Sequence, residues 1–227
     1  MSRTPSPRSV RLVTPLESPL VTRRSQRWPT VRWRAPDDRD LARRLGRIGL
    51  IKAQFAVWQH LSQRERPGSC EGARAAGGRF NAPDSFPVIY GALSRTVAGA
   101  ELRRIAARNP IGLENFLPRH VYRFRITSDN ALDLREPSTR EDLGFARQSF
   151  SGIPASQTQL LGELSRALGI EVLIAPSSTG YGNMIAIFPD LIPVSSFDTS
   201  HMELWISIND VPGAASDRSQ GFSSMTG

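Results

Sequence analysis

A carboxylate in the middle of an apolar helix face is the first feature of this sequence that could do chemistry. The periodicity of residues 94–108 predicts a helix, and one of its faces steps by four through apolar residues and one acid: Leu93, Val97, Glu101 and Ile105. Carboxylates are seldom buried without a partner, because removing the charge from water is costly. Two interpretations follow. Glu101 lies at the edge of the stripe and pairs with Arg104 or Arg108, or it is held in a cleft where its field acts on a charged intermediate.

An arginine and a tyrosine precede Glu101 at equal spacing. Arg79 follows Gly77 and Gly78, which permit a tight bend and close approach of a ligand to the backbone. Its guanidinium can give paired hydrogen bonds to phosphate oxygens. Tyr90 stands eleven residues after Arg79 and eleven before Glu101, at the end of a predicted strand. The commoner role for such a tyrosine is a half-buried ring whose hydroxyl bonds a backbone group.

Motifs of other chemistries are incomplete. Cys70 stands at the nucleophile position of the nearest approach to G-x-S-x-G, and Ile185 replaces the third glycine after Gly180 and Gly182 in a dinucleotide-binding fingerprint. Three scattered histidines and one cysteine exclude a Cys/His zinc site and a disulfide framework. We therefore expect no metal.

The elements that would position these residues alternate irregularly along the chain. The pattern predicts helices over 38–53, 94–108 and 156–168, strands over 54–61, 86–90, 120–127, 131–134, 171–175, 184–188 and 204–208, and a loop over 62–78. Such interspersed helices and strands favour an α+β domain with small mixed or antiparallel sheets and flanking helices over a doubly wound sheet.

Charge separates a leader from the body. Residues 1–36 contain eight arginines and one acid, a balance of +7 within the total of +8. This Pro-, Ser- and Arg-rich segment lacks apolar periodicity, which predicts a disordered leader, with a nucleic-acid-binding arm or a transit peptide as alternatives. We expect the folded domain over 37–210 and a flexible tail over 211–227. No apolar stretch is long enough to span a membrane, so we expect a cytoplasmic protein.

Read in order, four segments resemble the RES domain, a family of toxins from bacterial toxin–antitoxin pairs. They are GGRFNAPDSFPVIYGA, AGAELRR, ALDL and LGIEVLIAPSSTGYGNMIAIF, and the resemblance covers about residues 54–195. It implies an ADP-ribosyltransferase-like fold and attack on NAD as a substrate. It also implies an antitoxin of the Xre-like helix-turn-helix type that plugs the active site, with a homo-oligomer possible within that complex.

The resemblance also assigns roles to residues. By that likeness Arg79 grips the cofactor phosphates, Tyr90 lies beside the nicotinamide, and Glu101 orients the nicotinamide ribose and stabilises its cation-like transition state. Ser177 corresponds to the family serine near the same ribose, with Ser178 as the alternative. In the first strand Gln59 stands where the family generally carries another arginine, so Arg64 or Arg66 would have to supply that charge, or the copy is impaired.

These expectations define the predicted function. It is cleavage of the nicotinamide–ribose bond of NAD by a RES-type toxin acting as a glycohydrolase or phosphorylase. Transfer of ADP-ribose to a protein is a second hypothesis. A third, from another class, is a non-enzymatic protein that binds nucleic acid weakly through its basic leader.

Overall fold

The computed structural model describes residues 36–145, 153–193 and 197–213 of the chain. The leader predicted over 1–36 lies outside these ranges except for its last residue. In chain order the elements are α1 (Pro36–Leu45), β1 (Ile51–Ser62), α2 (Glu71–Ala76), β2 (Ile89–Ala92), α3 (Arg95–Ala107), a 3-10 turn (Leu113–Phe116), β3 (Arg119–Asp133), α4 (Pro137–Asp142), α5 (Ala155–Ala167), β4 (Val172–Pro176), β5 (Asn183–Ile187), β6 (Phe197–Trp205) and a second 3-10 turn (Ile208–Asp210).

The strands join into one mixed sheet in the order β1-β2-β5-β4-β3-β6. Strand β3 pairs with β4 in parallel, and the other pairs are antiparallel. Because β1 also pairs with β3 along most of its length, strands β1, β2, β5, β4 and β3 form a closed ring. The α+β architecture expected from the sequence is confirmed.

The two sides of this ring are packed differently. One side carries a cluster of β-branched and aromatic residues, among them Val57, Ile89, Phe124 and Ile185. The other side is covered by helices, with α1 and α5 over one part of the sheet and α3 over another. Alternation along a strand therefore decides which chemistry a side chain can join. Ile89 enters the first cluster, and the next residue, Tyr90, packs under the helices.

Helix prediction succeeded where periodicity and capping agree. Helices α3 and α5 begin and end within one residue of the predicted bounds. The helix expected over 38–53 was wrong beyond residue 45, because the chain turns there and Ile51 already begins β1. Pairing of β1 with β3 overrides the local helical pattern.

Strand boundaries depended on partners that lie far away in sequence. The predicted strands 120–127 and 131–134 merge into one long strand, β3, which ends at Asp133, and the last strand begins at Phe197 and not at residue 204. The domain also extends past the predicted end at 210, since Val211 is buried against α3. Arg103 donates hydrogen bonds to the carbonyls of Ile208 and Val211 and holds this segment.

Two kinds of feature are absent from the described residues. Among their helices, none combines the length and apolar character needed to cross a membrane. Within the same ranges, no three His, Cys, Asp or Glu side chains are grouped so as to hold a metal ion.

Gly162 of α5 offers a test of how the helix layer packs on the chain near Arg79. A Cβ at this position would fall onto the backbone carbonyl of Phe80, with the Phe80 Cβ only 2.8 Å away. We expect Gly162→Ala to lower the free energy of unfolding by about 1–3 kcal/mol through overpacking, measured by thermal and urea denaturation.

The matched control is Gly72→Ala in α2. A Cβ there meets nothing within 4 Å, so this change should leave stability equal or slightly higher, because alanine favours a helix. Equal melting temperatures for Gly162→Ala and wild type would contradict the proposed close approach of α5 to Phe80.

Candidate active site

Arg79 lies on a short loop, residues 77–81, that three elements hold in place. The Gly78 amide donates to the Asn81 carbonyl at 2.8 Å and closes a tight turn. From α5, the Gln159 amide donates to the Gly78 carbonyl at 3.0 Å. From beneath, the buried Asn81 amide donates to the Ala73 carbonyl of α2 at 2.8 Å. The Arg79 loop is therefore fixed by polar contacts from non-local segments.

Tyr90 is the third support of the Arg79 loop. Its hydroxyl accepts a hydrogen bond from the Phe80 amide at 2.7 Å and donates one to the Asn81 side-chain oxygen at 2.8 Å. A Cβ on Gly78 would overlap the Tyr90 ring, so only glycine permits this approach. Burial raises the pKa of the Tyr90 hydroxyl well above its usual value, so the group stays protonated and can keep donating. The bond to the backbone expected for a strand-end tyrosine is present.

Glu101 projects from α3, a helix with a well-defined start. The Ser94 side chain caps it by accepting from the Val97 amide at 3.2 Å. The buried face runs through Val97, Ala98 and Leu102, while Ile105 is 37% exposed. The predicted stripe at steps of four was wrong in its course, because each such step rotates about 40° away from the starting face at 3.6 residues per turn.

The carboxylate of Glu101 therefore lies at the margin of the buried face. Its side chain is 16% exposed, and its Oε2 atom is within 2.7 Å of Arg104 Nη2 and 2.8 Å of Arg104 Nε. Of the two partners considered from the sequence, Arg104 is the one that the structure places on Glu101. The ion-pair interpretation of Glu101 is confirmed, and the same carboxylate also meets the residue that follows β4.

The segment after β4 forms a second loop, residues 177–182, over the start of α3. The Ser177 amide donates to the Gly182 carbonyl at 2.7 Å, and Gly180 and Gly182 adopt φ angles of +78° and +136°, which residues with a Cβ rarely adopt. A Cβ on Gly182 would lie 2.9 Å from Val97 Cγ2. This Ser177 loop therefore closes tightly against α3.

Ser177 meets Glu101 directly. Its hydroxyl donates to Glu101 Oε1 at 2.6 Å, and the residue is only 6% exposed. Since a serine hydroxyl has one proton, the 2.7 Å contact with Thr179 Oγ1 requires Thr179 to be the donor. The Thr179 amide also donates to Ser177 Oγ, at 3.1 Å. Ser177, and not Ser178, is thus the serine joined to the acid.

Arg79 reaches the same place from the other side. Its Nη1 atom donates to the carbonyl of Pro176, the residue before Ser177, at 2.9 Å. Burial lowers the pKa of the Arg79 guanidinium, and the negative charge of Glu101 acts in the opposite direction, while the positive charge of Arg104 adds to the lowering. Arginine nevertheless keeps its proton in proteins. One carboxylate and two guanidinium groups therefore share this site.

Gln59 is separated from this group. Along β1, Gln59 faces the same side of the sheet as Val57. Trp58, between them, faces the opposite side and packs with α3. Its amide donates to the Ser69 carbonyl at 2.9 Å and accepts from the Gly68 amide at 3.0 Å. These bonds hold the loop that carries Arg64 and Arg66, and a shallow hollow lined by residues 64–71 lies there.

The geometry defines what this site can do. An ion-paired carboxylate with fixed oxygens can stabilise a cation that develops beside it, and a half-buried guanidinium can hold an anionic group. The sequence alone singled out Arg79, Tyr90, Glu101 and Ser177, which the structure brings together. It missed Asn81 and Thr179 as supports, because each acts through a hydrogen bond that no local pattern encodes.

These features define a family. The model of the RES domain matches residues 47–206, a span that contains both loops and helix α3. The chain belongs to the RES domain family.

Individual proteins are similar to this chain in sequence and in fold. The chain is 28% identical over 153 residues to "NAD(+) phosphorylase MbcT" of Mycobacterium tuberculosis and of Mycobacterium bovis, covering 66% of this chain and 82% of those proteins. Its fold is similar to a chain in the crystal structure of the M. tuberculosis MbcT-MbcA toxin-antitoxin complex. That match has a TM-score of 0.67 and 24% identity, and covers 75% of this chain and 94% of the other.

The Tyr90 hydroxyl can be tested apart from its ring. Tyr90→Phe leaves the Phe80 amide and the Asn81 side-chain oxygen without this partner, so we expect a loss of about 1–3 kcal/mol in the free energy of unfolding. Native-state hydrogen exchange of the Phe80 amide should also become faster. Tyr181→Phe is the control, because Tyr181 is 54% exposed, and it should change neither quantity. Unaltered exchange at Phe80 in Tyr90→Phe would mean that the hydroxyl does not hold the Arg79 loop.

Proposed function

We propose that this protein cleaves the bond between nicotinamide and ribose in NAD and passes the ADP-ribosyl group to a small acceptor, phosphate or water. In this proposal it acts in the cytoplasm as the toxin of a toxin–antitoxin pair. The MbcT relatives carry the name NAD(+) phosphorylase. Together with membership of the RES family, this name supports the same type of activity for this chain.

One observation carries the proposal: the 2.6 Å hydrogen bond between Ser177 and Glu101, which lie 76 positions apart. It joins the acid and the serine to which the family resemblance assigned roles at the same ribose. Arg79 is bound to the residue that precedes that serine. A carboxylate with a fixed orientation can stabilise the positive charge that develops on the ribose of NAD. The neighbouring Arg79 guanidinium can bind the phosphates of the same dinucleotide.

Each residue then has a role that its contacts support. Glu101 faces the nicotinamide ribose and stabilises positive charge at its anomeric carbon, and Ser177 holds one carboxylate oxygen in place. Arg79 binds the diphosphate, and Tyr90 both supports the Arg79 loop and borders the nicotinamide. Gln59 contributes to cofactor binding only through the loop it holds, which carries Arg64 and Arg66.

The reaction needs no general acid on the leaving group. The bond between the anomeric carbon and the pyridinium nitrogen breaks, and its electron pair leaves with nicotinamide, which departs neutral. The ribosyl cation is then captured by an oxygen of phosphate or water, and water loses a proton to solvent. Glycosidases use two carboxylates because their leaving groups must be protonated. A single ion-paired carboxylate is sufficient here.

Substitution of Glu101 tests this chemistry. Glu101→Gln keeps the shape of the side chain but removes its charge, so nicotinamide release from NAD should fall by about a hundredfold or more. The release is measured by chromatography of the products that the purified protein forms from NAD. Glu114→Gln, at an exposed position of the 3-10 turn, is the control and should retain full release. If Glu101→Gln keeps most of the activity and a normal melting temperature, Glu101 has no role in the reaction.

The acceptor is identified in the same assay. Release that rises with added phosphate and yields phosphorylated ADP-ribose supports phosphorolysis, whereas release independent of phosphate supports hydrolysis. Radioactive label appearing on protein would favour ADP-ribosyl transfer to a side chain. No release, together with salt-sensitive DNA binding that is lost on deletion of residues 1–36, would support the non-enzymatic hypothesis.

The antitoxin is the second part of the proposal. The structural neighbour was solved as a toxin-antitoxin complex, which supports an antitoxin partner for this chain. We propose that this partner covers the active site. We expect a small helix-turn-helix protein of the Xre type encoded beside this gene. Co-expression should yield a co-purifying complex in which nicotinamide release is suppressed. Free release in a stable complex would place that partner away from the site.

A further inference from the structure

Arg104 grips one oxygen of Glu101 with two nitrogens. Its Nε atom lies 2.8 Å and its Nη2 atom 2.7 Å from Glu101 Oε2. The two side chains are 30% and 16% exposed respectively, so the pair is screened from bulk water on most sides. Paired N–H donors of a planar guanidinium constrain direction as well as distance.

The other carboxylate oxygen is held by a different segment. Ser177 donates to Oε1 while Arg104 occupies Oε2, so each oxygen has its own donor. Rotation of the carboxylate about its terminal bond would break both contacts at once. A glutamate side chain otherwise retains considerable rotamer freedom, so the two donors together define one orientation.

We propose that Arg104 is a positioning residue of the active site, which acts on the reaction by fixing the Glu101 carboxylate in the plane that Ser177 also selects. This inference rests on the proposed function and extends it, because the family resemblance assigned no role to Arg104. In this proposal Arg104 makes no contact with the reacting sugar and acts on it through Glu101.

The ion pair has little value for the fold itself. Ion pairs between partly exposed charges three residues apart on a helix contribute little to stability. Arg104 is on the helix face that carries Glu101, while the buried face of α3 lies on Val97, Ala98 and Leu102. Removal of Arg104 should therefore affect catalysis more than stability.

Steady-state kinetics on purified full-length protein separate this role from substrate binding. Arg104→Gln should lower kcat for nicotinamide release by about tenfold or more, since small misplacements of catalytic groups have effects of this size, with KM for NAD within about twofold of wild type. Arg104→Lys keeps the charge but not the fork and should recover part of kcat. Arg108→Gln, at the exposed residue that caps the C-terminal end of the same helix, should match wild type.

A double-mutant cycle with Ser177→Ala tests whether Arg104 works through the same carboxylate. If both donors are needed to fix one orientation, removing either one already frees the carboxylate, so the double variant should lose less than the product of the single losses, whereas independent roles give the simple product. Melting temperatures of the Arg104 single variants should stay close to wild type.

The outcomes are distinct. Unchanged kcat in Arg104→Gln with an active wild type overturns the positioning role alone. A rise in KM without a fall in kcat also overturns it, because it assigns Arg104 to substrate binding. A wild-type protein that releases no nicotinamide overturns the proposed function, and this role with it.

Discussion

The site depends on a carboxylate whose two oxygens are bound from two different parts of the chain. Arg104 is three residues from Glu101 on the same helix, whereas Ser177 is 76 residues away. The long-range contact exists because β5 lies between β2 and β4 in the sheet. That order brings the end of β4 next to the start of α3, which directly follows β2. A different strand order would leave the acid with its helical partner alone.

A second constraint acts on Arg79. Its burial is unfavourable for a permanent charge, and the structure offsets that cost with the Pro176 carbonyl and the negative charge of Glu101. The loop that carries it is not stabilised by periodic structure. It is held instead by the side chains of Tyr90, Asn81 and Gln159, all bonded to neighbouring polar groups. Hydrogen bonds of this kind give the loop one defined conformation although it has no periodic structure.

Local information in the sequence was sufficient for some features and not for others. The extent of helix α3 was predictable because a serine suited to capping precedes it and a proline follows its end, whereas the course of its buried face was not. The Glu101–Arg104 pair follows from helical spacing. The choice between Ser177 and Ser178 was not, since it depends on the φ angles of Gly180 and Gly182 and on contact with Val97. The side of the sheet taken by Gln59 depends on strand register, which one residue of slip would reverse.

The same distinction explains why Gln59 differs from the other predicted residues. An arginine was expected there from the family, and a glutamine can be accommodated because its amide both donates to Ser69 and accepts from Gly68. A guanidinium has no acceptor, so it could not receive the Gly68 amide in this arrangement. The loop over residues 64–71 would have to be held in another way in a relative with arginine at this position. In this chain the position therefore contributes a defined loop and no positive charge in the strand, and any charge for a dinucleotide has to come from side chains on that loop or from Arg79.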